Sequence, residues 1–125
     1  MGRFGNGDLL ERAEGYAIRA IGLFRFLRGQ KDEVGWVMGR QLLRAATSIG
    51  ANLVEADAAE SRKDFIHKCR IALKETREFG YWLRLMQRAE LVPPKRLSGL
   101  LDETEQLAAI SITIIMKAKA QPDSA

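Results

Sequence analysis

Between Phe65 and Met86 the sequence sets Phe65, Cys69, Ala72, Thr76, Phe79, Leu83 and Met86 at alternating steps of four and three residues. No other feature restricts the fold as strongly. An α-helix turns once in 3.6 residues, so this spacing holds all seven side chains in one narrow stripe, whereas a strand would send neighbours to opposite faces. Ile66, Leu73 and Gly80 widen the stripe, which is the pattern of a helix pressed into a bundle. Ser61 with Asp64 three residues later resembles a capping box in which Asp replaces Glu, so a helix is predicted over 61–90. Leu91, Val92, Pro93 and Pro94 end it, because proline lacks the amide donor and disfavours helix in the residue before it.

Three more helices follow from the same spacing. Asp8 is placed to cap one over 8–28 that keeps Leu10, Ala13, Ala17, Ile21, Phe24 and Leu27 on one side. After the polar turn from Gly29 to Glu33, another over 34–58 carries Met38, Leu42, Ala45, Ile49, Leu53 and Ala56. The last, over 95–118, carries Leu97, Leu101, Leu107, Ile110, Ile114 and Ala118, with Ile112 and Ile115 making it apolar on further sides. Four amphipathic helices with short connections and no alternating pattern predict an all-α, antiparallel up-and-down four-helix bundle. At 125 residues the chain forms one domain, with its two ends expected to be disordered.

Composition removes several classes of function. Cys69 is the one cysteine and His67 the one histidine, so neither an intramolecular disulfide nor a Cys/His metal cluster can be assembled, and no cofactor is indicated. The start MGRFGNG lacks the apolar stretch of a signal peptide, and Asn6 stands where a myristoylation motif needs Ser or Thr. The longest apolar run, Leu107 to Met116, falls well short of the roughly 20 residues that cross a bilayer. A cytoplasmic protein with no membrane partner is expected.

On the helix predicted over 61–90, Lys63, His67, Arg70, Lys74, Arg77, Tyr81, Arg84 and Arg88 form a second stripe, again at steps of four and three. The charge is concentrated here. Residues 61–90 hold 8 basic and 4 acidic side chains, while 1–60 and 91–125 are each balanced, so the whole net charge of +4 resides in this segment. Such a face is either a solvated surface with pairs such as Lys74 and Glu78, or a strip that tracks phosphates about once per helical turn. Both readings stay open on charge alone.

Two further patterns bear on function. Arg44, Ser48, Asn52 and Glu55 make a polar row in an otherwise small-sided helix, with Ala46 and Gly50 permitting close backbone approach. The row offers one carboxylate where acid and base work needs two, and Ser48 has no adjacent base, so it reads as a hydrogen-bonded network that fixes helix pairing or subunit geometry. No catalytic residue is indicated, and Cys69 reads as a small core hydrophobe. Beyond the core seams, Trp36, Leu43 and Val54 on one helix and Ile71, Trp82 and Leu85 on the next lack obvious partners within one bundle, which points to a homo-oligomer interface.

The segment from Gly39 to Met86 resembles the bacterial four-helix bundle proteins named after the intervening sequences of 23S rRNA genes. The family pattern R-x-x-T-S-I-x-A-N-I-x-E-A is met by Arg44, Thr47, Ser48, Ile49, Ala51, Asn52, Glu55 and Ala56, with Leu53 in place of Ile. Ser61, Lys63, Phe65, Ala72, Lys74, Glu75, Glu78, Tyr81 and Trp82 also agree, and the likeness extends over about residues 8–118. The resemblance implies an up-and-down bundle assembling as a homopentameric ring. It also implies a relation to the accessory variability proteins of diversity-generating retroelements, whose basic surface binds nucleic acid and a reverse transcriptase. The expectation is a non-enzymatic, oligomeric accessory protein that binds RNA or DNA through its third helix. The alternative is a protein-binding or structural ring without a nucleic-acid role.

Overall fold

A computed structural model describes residues 2–5 and 7–122. Four helices follow in order, α1 (Asp8–Gly29), α2 (Glu33–Asp57), α3 (Arg62–Arg88) and α4 (Pro94–Ala120), and no strand occurs among the described residues. These bounds differ by one or two residues from those read in the sequence. Cross-helix neighbours give the directions. Gly39 meets Phe24 and Leu27 while Gly50 meets Ala13, and Arg44 reaches Glu75 while Glu55 reaches Lys68. Each helix therefore runs against the next, as short connections require.

The α3 seam is buried along its whole length, from Phe65 to Met86. On α1 the sequence reading chose the wrong stripe. The buried residues are Leu9, Ala13, Tyr16, Ala20, Leu23 and Leu27, while Leu10, Ala17, Ile21 and Phe24 sit at the half-buried margin. The stripe was hidden because Tyr16 carries a hydroxyl, and counting apolar side chains alone favours the neighbouring flank. α4 shows the same effect: Thr104 and Ser111 belong to its buried seam, with Leu100, Leu107 and Ile115, whereas Leu101, Ile110 and Ile114 lie at the edge. The Thr104 hydroxyl bonds both to its own helix and across the seam to Tyr16, and no fully buried side-chain polar atom among the described residues lacks a partner.

Helix ends follow local chemistry. Asp32 accepts from the Val34 amide at 3.0 Å, and Ser61 accepts from the Asp64 amide at 3.0 Å, which starts α2 and α3. Asp8 does not cap α1. Gly7, at φ 82, occupies the cap position, and Asp8 instead lies in the first turn, where an acidic residue suits the helix dipole. α3 stops before the prolines: Glu90 adopts φ 57 and the Leu91 amide donates to the Met86 carbonyl at 3.0 Å, a left-handed cap that reverses the chain. Pro94 then opens α4 at a position where its missing amide costs nothing.

Residues 2–5 lie against the end of α2. The Arg3 and Phe4 amides donate to the Asp57 carbonyl (3.1 Å) and carboxylate (2.8 Å), and the Phe4 ring packs 5.3 Å from that of Phe65. Asp57, at the last turn of α2, thus anchors the strap that closes this end of the core. At the other end of the chain, Arg62 donates to the carbonyls of Gln121 and Pro122; the expectation for 123–125 lies outside the described residues.

Candidate nucleic-acid interface

A helix between two neighbours has two flanks, and α3 uses them for opposite charges. The flank toward α2 carries its inner carboxylates. Arg44 donates to Glu75 at 3.3 Å and pairs with Glu78, Lys68 donates to Glu55 at 3.2 Å, and the Trp82 indole donates to Glu78 at 3.4 Å. With Glu78 held by Arg44, the expected pairing of Lys74 with Glu78 does not form.

The other flank, toward α4, is left basic. Lys63, His67, Arg70, Lys74, Arg77, Tyr81, Arg84 and Arg88 are all exposed. Among the described residues no ion pair reaches any of the six Lys and Arg side chains in that stripe. Spacing by three and four over a helix of 27 residues distributes these cations along about 40 Å. Arg84 lies back over Gly80, where Thr104 of α4 also approaches, so a side chain at Gly80 would crowd both. Tyr81 is 50% exposed, and its ring makes an edge-to-face contact with Trp82 at 5.3 Å. Lys119 of α4 borders the beginning of the stripe, a neighbour that nothing in the local sequence announces.

The polar row of α2 divides into two kinds of contact. Arg44 and Glu55 cross to α3, as a pairing network requires. Asn52 stays on its own helix, donating to the Ser48 carbonyl at 2.8 Å and hydroxyl at 3.1 Å, so these two residues do not join α2 to a neighbour within the chain. Ser48 has neither base nor acid partner there. Cys69 is buried, and burial pushes its thiol up to about 11, opposite to the shift that makes a cysteine nucleophilic.

Of the residues read as an oligomer interface, Trp36 (41%) and Val54 (58%) are exposed, while Leu43, Ile71, Trp82 and Leu85 are half-buried within one chain. Trp82 does have partners in its own bundle, namely Glu78, Tyr81 and the core. The argument that it needs a second subunit loses its force. Trp36 is 41% exposed, with the Arg40 guanidinium 5.2 Å above its ring.

An antiparallel four-helix bundle with segregated charge on its third helix defines the class. The chain belongs to the 23S rRNA-intervening sequence protein family, whose pattern it matches over residues 11–113. A solved structure from Bacteroides thetaiotaomicron VPI-5482, described as a protein of unknown function from the S23 ribosomal protein family, is 39% identical. It superposes with a TM-score of 0.80 over 86% of this chain and 97% of that one. No curated relative matches the chain. No described helix is long and apolar enough to cross a membrane.

Proposed function

We propose that this protein is a non-enzymatic, oligomeric nucleic-acid-binding accessory factor that holds RNA or DNA on the α4-facing flank of α3. The observation that carries the reading is the separation of charge on α3: Glu75 and Glu78 are engaged by Arg44, and the six cations of the opposite flank are unpaired among the described residues. Cations already matched by carboxylates gain little from phosphate. Unmatched ones at helical spacing exchange a counterion atmosphere for a phosphate backbone, a charge-driven mode with little sequence preference.

The test is a titration of fluorescent single-stranded and duplex RNA and DNA at several salt concentrations. Affinity falls steeply with salt, with a log-log slope of about −0.9 for each duplex phosphate neutralised and about −0.7 on single strands. Absence of salt-sensitive binding at about 50 mM salt, where screening is weak, overturns the reading. One observation favours a second role beside this one. The exposed Trp36 on α2 suits a protein contact, whether another copy or a different partner.

A further inference from the structure

At the end of the bundle where α3 begins and α4 finishes, the two helices border an open concavity of about 580 Å³ lined by Arg62, Lys63, Ile66, His67, Arg70 and Lys119. Its chemistry is one-sided. Four permanent cations and the chain's one imidazole surround it, Ile66 gives an apolar wall, and no carboxylate is among its lining residues. Arg62 is occupied by the carbonyls of Gln121 and Pro122, which fixes the last turn of α4 and brings Lys119 to the rim. Lys63, Arg70 and Lys119 have no ion pair among the described residues.

The volume is that of a small-ligand site, within the range of about 300 to 1,000 Å³ typical of such pockets. An internal phosphodiester carries one charge, whereas a phosphomonoester carries about −1.5 to −2 at neutral pH and offers three acceptor oxygens. Three or more cations lining one concavity match the second group better than the first. Position adds to this. The cavity shares Lys63, His67 and Arg70 with the exposed stripe, so a strand following Lys74, Arg77, Arg84 and Arg88 reaches it at one end.

We propose that this cavity binds the terminal phosphomonoester of a nucleic-acid strand, with the terminal nucleoside against Ile66 and His67 and the phosphate among Lys63, Arg70 and Lys119. The inference rests on the nucleic-acid reading above and adds a polarity to it: the strand end sits at the start of α3. Its test uses one single-stranded oligonucleotide in three forms, with a 5′-phosphate, with a 3′-phosphate and with hydroxyls at both ends. One phosphorylated form binds about tenfold more tightly than the hydroxyl form, and Lys119→Gln removes that advantage while the hydroxyl form loses only the few-fold that one fewer cation beside the stripe brings. Lys119 is exposed on the last turn of α4, so its loss leaves the core intact.

If all three forms bind alike with the usual salt dependence, the cavity proposal is wrong and the stripe reading stands. If none binds, both are wrong. If the advantage survives Lys119→Gln and Arg70→Gln alike, the end is read elsewhere. Adenosine monophosphate separates the two sources of this chemistry: affinity equal to that of the phosphorylated strand would assign the cavity to a free nucleotide and overturn its role at a chain end.

Discussion

Tyr16 and Thr104 meet between α1 and α4, buried, with hydroxyl against hydroxyl. Thr104 donates its own proton to the Leu100 carbonyl at 2.6 Å, so Tyr16 must be the donor to Thr104, and burial raises its phenol well above the ordinary value. The two partners are therefore unequal. Tyr16→Phe leaves Thr104 bonded to Leu100 and should cost about 1 kcal/mol, whereas Thr104→Val strands a buried phenol and should cost about 1 to 3 kcal/mol. Urea denaturation of the two single variants and the double variant checks this, with the double costing less than the sum because its members share one contact. Equal single costs that add without coupling would show the hydroxyl pair to be inert. Neither residue was singled out from the sequence: a Tyr among apolar neighbours and a Thr on a polar-looking turn carry no mark of their meeting across 88 positions.

α2 and α1 approach closely because Gly35 and Gly39 face Leu27 and Phe24. A Cβ built on Gly39 would lie 3.0 Å from Phe24 and 3.1 Å from Leu27, with Leu27 held in the core. Gly39→Leu should therefore destabilise the bundle by about 1 to 3 kcal/mol through overpacking, read as a lower urea midpoint. An unchanged midpoint would mean that α1 yields freely at this crossing. The legibility of the elements follows from how polar their seams are. α3 was readable because apart from Thr76 its buried residues are apolar or small, and a Ser caps its start. α1 and α4 gave up their positions but not their faces, since Tyr16, Thr104 and Ser111 break the apolar count at the core. The candidate site divides in the same way. The basic stripe is legible because exposure follows from its angle to the α3 seam. The partners of Glu75 and Glu78, and the arrival of Lys119 beside His67, depend on which neighbour packs on which flank, and no local spacing encodes that.

At the scale of the whole molecule, two features of the surface bear on function: the basic flank of α3 and the exposed indole of Trp36 on α2. We propose that the second joins copies of the chain; the number five is implied only by the family resemblance. Trp36→Ala should weaken assembly by about 2 to 4 kcal/mol, as loss of a central aromatic anchor does, and sedimentation velocity across a dilution series reads it directly. A parent protein that sediments as a monomer at micromolar concentration would remove this part of the account. Assembly also bears on affinity, because repeating a modest strip once per subunit lets weak phosphate contacts act together. The central claim is that binding depends on where the positive charge lies, not on how much there is. The most direct measurement compares two variants with the same change in net charge: Arg70, Lys74 and Arg77 all to Glu on α3, and Arg25, Lys31 and Lys95 all to Glu on exposed positions elsewhere. In one titration at fixed salt, the account predicts that the α3 variant loses at least about a hundredfold in affinity for RNA or DNA, while the control, whose charges lie outside the stripe, loses a few-fold. Equal losses in the two variants, or an α3 variant that binds like the parent, would contradict it.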